Sequence, residues 1–316
     1  MDSRQDERHV VVGAGAIGAG VAGLLAEQGC RVSVLTRSGS GPQHPLIERV
    51  AADATDADHL TRLCTGAAAV YNCANPPYHR WASDWPPIAA ALLQAAERTG
   101  AVLVTTSNLY GYGPVNAPMT EQTPLAATGV KGRVRAQMWL DALAAHRSGR
   151  LRATEVRGSD YLGPRAQSQL GDRVVPRLLA GRAATILGEP DVLHTWTFTG
   201  DMAQMLVTAA TDEQAWGRAW HCPSQPARTA RDVVTELCAL AGVEPVPVKR
   251  MSPLLVRVAS PFMPLLRELP EVMHQHTRPW EMDSSAAQQT FGLRPTPWPQ
   301  LLREHLNAYR PALVAA

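Results

Sequence analysis

Phenylalanine is scarce, with three in 316 residues, and the five cysteines (Cys30, Cys64, Cys73, Cys222, Cys238) stand far apart without a Cys-x-x-Cys pair. That spacing argues against a zinc ribbon or a thioredoxin-type redox pair, so reduced thiols in a cytoplasmic protein are the expectation. No apolar run reaches bilayer-spanning length: "SPLLVRVASPFMPLL" is interrupted by Arg257 and Pro261. The amino-terminal "MDSRQDERH" is charged, unlike a secretory signal. Charge of one sign is also lacking. Thirty Lys and Arg against 28 Asp and Glu leave +2, too mild and scattered to suggest nucleic acid or an anionic membrane as partner. The expected partner is a small-molecule substrate.

What is present is an alternation. "HVVVGAG", "CRVSVLT", "IERVAAD", "AAVYNCA" and "AVLVTTS" read as strands. Between them "AIGAGVAGLLAEQG", "DADHLTRLCTG" and "WPPIAAALLQAAERTG" carry helical periodicity. Pro86 and Pro87 suit the first turn of the third helix and Gly100 its end. Alternation of this kind predicts an α/β, Rossmann-type, doubly wound parallel sheet with ligands at the carboxyl ends of its strands. The expected division is a dinucleotide-binding domain over residues 1–165, to which 190–225 return. A smaller, mostly helical substrate lobe takes 166–189 and 226–316.

Gly13, Gly15 and Gly18 form Gly-x-Gly-x-x-Gly between the first strand and first helix. There the first glycine permits a tight turn, the second lets backbone approach a pyrophosphate, and the third lets helix and strand pack closely. With Ala16 and Ile17 they open the helix whose N-terminus would face the phosphates. The second strand ends in Thr36, Arg37 and Ser38 and lacks the acidic residue that takes a bare ribose hydroxyl. A guanidinium there pairs with a 2′-phosphate, so NADP(H) is expected over NAD(H).

These pieces, in this order, resemble the extended or atypical short-chain dehydrogenase/reductase superfamily, in its NAD-dependent epimerase/dehydratase-like branch. In "VAADATD" the resemblance puts Asp53 near the adenine. "YNCANPP", with Asn72 and Ala74, takes the place of the family's fourth-strand loop. "TTSNLYGYG" puts Thr106, four before Tyr110, at the catalytic Ser/Thr position. "VRGSDYLGPR", which includes Tyr161, "FTGDMAQML" and "MDSSAAQQTFGLRPTPWPQLLREHL" resemble later family stretches. The resemblance implies an NADP(H)-dependent oxidoreductase acting on a small carbonyl or sugar-like substrate, with a homodimer expected by analogy.

Two departures matter. Val12 stands where the family's usual first glycine would be, and the Tyr-x-x-x-Lys pair reads Ala127-x-x-x-Lys131. Residues four apart share a helix face, which would let Lys131 act on a partner there and touch the nicotinamide ribose. Ala127 has no hydroxyl to donate. Tyr110, Tyr112, Tyr78, His79 or a water held by Thr106 and Lys131 could supply the proton instead; the tyrosines and His79 could equally be substrate wall, packing or surface. The missing phenol also admits a non-redox isomerase, epimerase or lyase, or a non-catalytic NADP(H)-binding sensor. Arg133 and Arg135 read as solvated or subunit-facing. Trp280, Trp298 and "SPFMPLL" fit either an apolar substrate pocket or core. The His274/His276 pair finds no nearby Cys, Asp or Glu set to complete a site, so no metal is expected.

Overall fold

The computed structural model describes residues 7–252 and 264–309, which leaves all but the first and the last three residues of "SPLLVRVASPFMPLL" outside the described residues. Six strands come from the first half: β1 (Arg8–Val12), β2 (Arg31–Thr36), β3 (Ile47–Ala51), β4 (Ala69–Asn72), β5 (Val102–Asn108) and β6 (Ala153–Gly158). A seventh, Ala219–His221, adds to the free edge of β6. All seven are parallel, ordered Ala219–His221, β6, β5, β4, β1, β2, β3. The chain therefore changes direction across the sheet between β1 and β4, and a crevice opens above their carboxyl ends.

Continuous apolar runs such as "VVV" in β1 bury both strand faces, as helices on each side demand. On one face α1 (Ala16–Glu27) and the helix Thr199–Thr211 close a core around Val21, Leu25, Met202 and Leu206. On the other lie α2 (Ala57–Cys64), α3 (Trp81–Thr99) and α4 (Val130–Arg147), with Leu60, Trp85, Leu92 and Trp139 inside. A further cluster joins Leu162, Val174, Trp196, Val233, Trp298 and Leu302. Trp298 is thus core. Beyond residue 243 the described chain is mostly helical, with one short strand, Val248–Arg250.

Helix α3 begins one turn earlier than its prolines suggest, which moves Pro86 and Pro87 inside it. The extra turn buries Trp81 beside Trp85, their rings 6.2 Å apart. Only the bonds that the two missing N–H groups would have made are forgone. Its end is as expected: Gly100 takes the left-handed conformation at φ 73°.

One buried polar chain ties the sheet edge to the loop after β5. Arg157 donates to Glu155 at 2.7 Å and to the Tyr112 hydroxyl at 2.7 Å. Tyr112 in turn meets His221 Nε2 at 2.6 Å. His221 Nδ1 must carry the proton, because it faces the Asp283 carbonyl at 2.7 Å. That assignment makes Tyr112 the donor to Nε2. Tyr112 is 1% exposed and serves this network, so the expectation that it faces substrate is corrected.

Tyr112→Phe leaves both Arg157 and His221 short of a partner and is expected to cost about 1–3 kcal/mol in denaturant unfolding. Burial pushes His221 and His276 down from 6.5 to about 4. Their neutral forms are favoured in the fold, so the associated stability is present above pH 6.5 and is lost as pH falls toward 4. Denaturation midpoints across that window should decline, and His221→Gln or His276→Gln should flatten the decline.

Candidate active site

The β1–α1 turn is shaped by what cannot fit there. Gly13 sits at φ 101°, and a Cβ on it would lie 2.5 Å from the Cys73 carbonyl oxygen. A Cβ on Gly18 would lie 1.9 Å from Gly13 O, so α1 packs directly on the turn. At Gly15, by contrast, a Cβ would meet nothing within 4 Å. The turn is closed on two sides and open on the third, which leaves the start of α1 free to receive a phosphate. These residues fit a dinucleotide.

From that opening a cavity of about 820 Å³ runs along the strand ends. Gly13, Gly15, Ala16, Ile17, Thr36, Arg37, Asp53 and Ala74 line the end beside the glycine turn, and Thr106, Tyr110, Tyr78 and Tyr161 its far end. The structure therefore brings most of the sequence-selected residues to one crevice. Others stand apart. Gly18 acts by packing, and Ser38 bonds Ser40 at 2.9 Å away from the cavity. Asn72 is buried in β4 at 2% exposure, and His79 lies exposed in a short 3-10 turn.

Past β3, Asp53 accepts from the Thr55 amide at 2.9 Å and its hydroxyl at 2.8 Å. Those bonds, helped by nearby Arg37, hold its carboxyl below the usual value. Arg37 is exposed at the cavity rim. At the far end, Thr106 Oγ1 lies 3.4 Å from Cys73 Sγ, whose thiol burial pushes up to about 12 and so keeps protonated. The Tyr110 hydroxyl meets that of Tyr78 at 3.4 Å and the Gln275 amide at 3.5 Å. Burial raises the Tyr110 phenol, so it carries its proton at neutral pH.

Ala127 and Lys131 do not share a helical turn. Helix α4 starts at Val130, and Ala127 lies in the preceding loop with its N–H bonded to Gly111 O at 3.1 Å. Lys131 is 3% exposed but is not part of the cavity wall. Its ammonium pairs with Glu268 and lies 3.7 Å from Glu271, over the Tyr78 ring. Of the α4 cations, it is Arg135, one turn further along, that lines the cavity. It is 7% exposed, which corrects the solvated reading. Its spacing was a usable signal: Lys131, Arg135, Met138, Trp139 and Ala142 all fall on the buried face of α4.

Trp280, read as either pocket or core, lines the cavity; Asp160 and Gln275 also line it and were missed. Asp160 meets His194 Nε2 at 3.4 Å, while His194 Nδ1 faces the Gln275 carbonyl at 3.2 Å. Burial would raise the Asp160 carboxyl, but His194 and His276 hold it below its usual value. Ligand atoms of Asp160, His194 and His276 lie within 4.8 Å of one another. The partners that His276 lacked in the sequence thus come from β-structure more than 80 positions away, which spacing could not reveal.

The model of the NAD-dependent epimerase/dehydratase family matches residues 9–221, and the chain belongs to that family. Among solved structures, an epimerase from Methanothermobacter thermautotrophicus is similar at TM-score 0.83 and 17% identity, covering 99% of this chain and 95% of its own. UDP-glucose 4-epimerase from Thermotoga maritima, solved with UDP-glucose, has TM-score 0.78 and 18% identity, with coverages of 97% and 99%. A dTDP-glucose 4,6-dehydratase from Streptomyces venezuelae, with NAD bound, has TM-score 0.76 and 22% identity, with coverages of 96% and 97%. No curated protein matches by sequence. At these identities the likeness is one of fold.

Two glycine substitutions separate packing from space. Gly18→Ala should lower the unfolding midpoint markedly, because its new methyl collides with backbone. Gly15→Ala, at φ −67°, should leave stability within about 0.5 kcal/mol while narrowing the phosphate opening. Thermal melts of the pair check this contrast.

Proposed function

We propose that this protein is an NADP(H)-dependent oxidoreductase of the epimerase/dehydratase-like group, acting on a small carbonyl or sugar-like substrate. One observation carries the proposal: a single cavity joins the open Gly15 corner to Thr106 and Tyr110. Gly13, Gly15, Ala16 and Ile17 would hold the pyrophosphate, Arg37 the 2′-phosphate, and Asp53 and Ala74 the adenine side. The bound cofactor would supply a hydride acceptor or donor.

At the far end Thr106 and Tyr110 are the hydroxyls available to a substrate oxygen. The Tyr110 phenol can give a hydrogen bond, and Tyr78 stands behind it to return a proton. Lys131 is left out of this corner, because its ammonium is already committed to Glu268 and Glu271. That commitment, together with Ala127, also favours a second reading, an epimerase or lyase cycle with no net redox change. Consumption of NADPH against a panel of carbonyl compounds separates the two: the first reading requires net loss of NADPH, the second none.

Calorimetry with all four nucleotide forms tests the binding proposal. NADP+ and NADPH should bind roughly 10- to 100-fold tighter than NAD+ and NADH, the size of one guanidinium–phosphate pair. Arg37→Ala should abolish that difference while leaving NAD+ affinity almost unchanged. Equal affinity in the parent removes the NADP(H) assignment, and no binding at all removes the oxidoreductase. Tyr110→Phe should slow turnover of any accepted carbonyl by about 10²- to 10⁴-fold if the phenol is the acid.

A further inference from the structure

Arg135 is a buried cation with no ion-pair partner among the described residues. Its guanidinium stacks over Trp85 at 4.3 Å and Trp81 at 4.8 Å. One terminal nitrogen reaches the Thr106 carbonyl at 3.4 Å, the outer limit of a hydrogen bond, and Nε has no partner. No carboxylate of the described residues lies within ion-pair distance of it. The nearby acid Glu155 is already taken by Arg157 at 2.7 Å. Burial pulls its pKa from 12.5 down to about 10, and it remains charged at neutral pH.

Isolated buried charge is expensive, and the two indole rings offset only part of that cost. Hydrophobic residues of similar size would serve packing as well or better. The residue is nevertheless in the cavity wall, between the end of β5 and Tyr110, where an incoming group can reach it. We infer that Arg135 is an anion-binding site of the cavity, and that its ligand is a carboxylate carried by the substrate. The shared chemistry is an anionic oxygen, which a carboxylate or a phosphoryl group could bring. The guanidinium is flat, and its paired N–H groups match the two coplanar oxygens of a carboxylate. The inference deepens the proposed function by giving its substrate class, an acid-bearing carbonyl or hydroxy compound. Its test uses no nucleotide, so its failure and that of the cofactor assignment can be told apart.

The probes are sodium acetate and sodium phosphate, each titrated against sodium chloride at constant ionic strength. Acetate should raise the parent's thermal midpoint saturably, by several degrees at a hundredfold excess over its Kd. It should also change tryptophan fluorescence with the same half-saturation, because Trp81 and Trp85 flank the site. Arg135→Met should melt no lower than the parent and respond to neither salt. Arg135→Lys should respond to acetate at least tenfold more weakly, and it serves as the variant should the methionine form fail to fold. A parent indistinguishable from its chloride baseline, or an Arg135 variant responding like the parent, overturns the anion site. Saturation by phosphate but not acetate overturns the carboxylate assignment.

Discussion

The close approach of Gly18 to Gly13 is the contact on which the site depends. Helix α1 can lie directly against the turn after β1 only because neither residue has a side chain there. That approach sets the helix start beside Cys73 at the end of β4, where the strand order reverses. Every later feature of the crevice follows from this placement. Residues far apart in sequence meet along one wall above the strand ends. A methyl group at either glycine would meet backbone and push the helix away from the turn.

The fold was legible because its signals are local. Apolar runs of strand length, helical periodicity and punctuating glycines each act over fewer than twenty residues, and their alternation admits few topologies. The β1–α1 turn was legible for the same reason: Gly13, Gly15 and Ile17 follow one another where β1 gives way to α1. The far end was not. Arg135 and Lys131 look alike in sequence, and only the packing of α4 against α3 decides which cation meets the cavity. Asp160, His194 and Gln275 come together through tertiary structure alone, and Trp280 reaches the wall from the carboxyl-terminal region.

Tyr112 illustrates the opposite error. Its place two residues after Tyr110, in a Tyr-Gly-Tyr run, suggested a second substrate-facing phenol. The 3-10 turn over Tyr110–Tyr112 sends the two rings different ways. Tyr110 goes into the cavity and Tyr112 into the polar chain with Arg157 and His221. The second ring is a structural strut, buried between a guanidinium and an imidazole.

The alanine at 127 is built into its surroundings. Its N–H is bonded to Gly111 O, its Cα lies against Gly113, and a Cβ on Gly132 would fall 2.3 Å from its own. Three glycines have thus closed around a small residue, in a loop that ends before α4 begins. Residue 127 and Lys131 are therefore not on adjacent turns, and a phenol there would have to displace backbone on two sides. Lys131, freed of a tyrosine partner, is held by two carboxylates of the helix Pro264–Val272, which docks over its N-terminal turn. The charge that would have served that pair now ties the carboxyl-terminal region to α4. The α4 cation that lines the cavity stands one turn deeper, at Arg135. On this geometry residue 127 is walled in and Lys131 is already ion-paired, so placing a tyrosine at 127 alone would not create the pair.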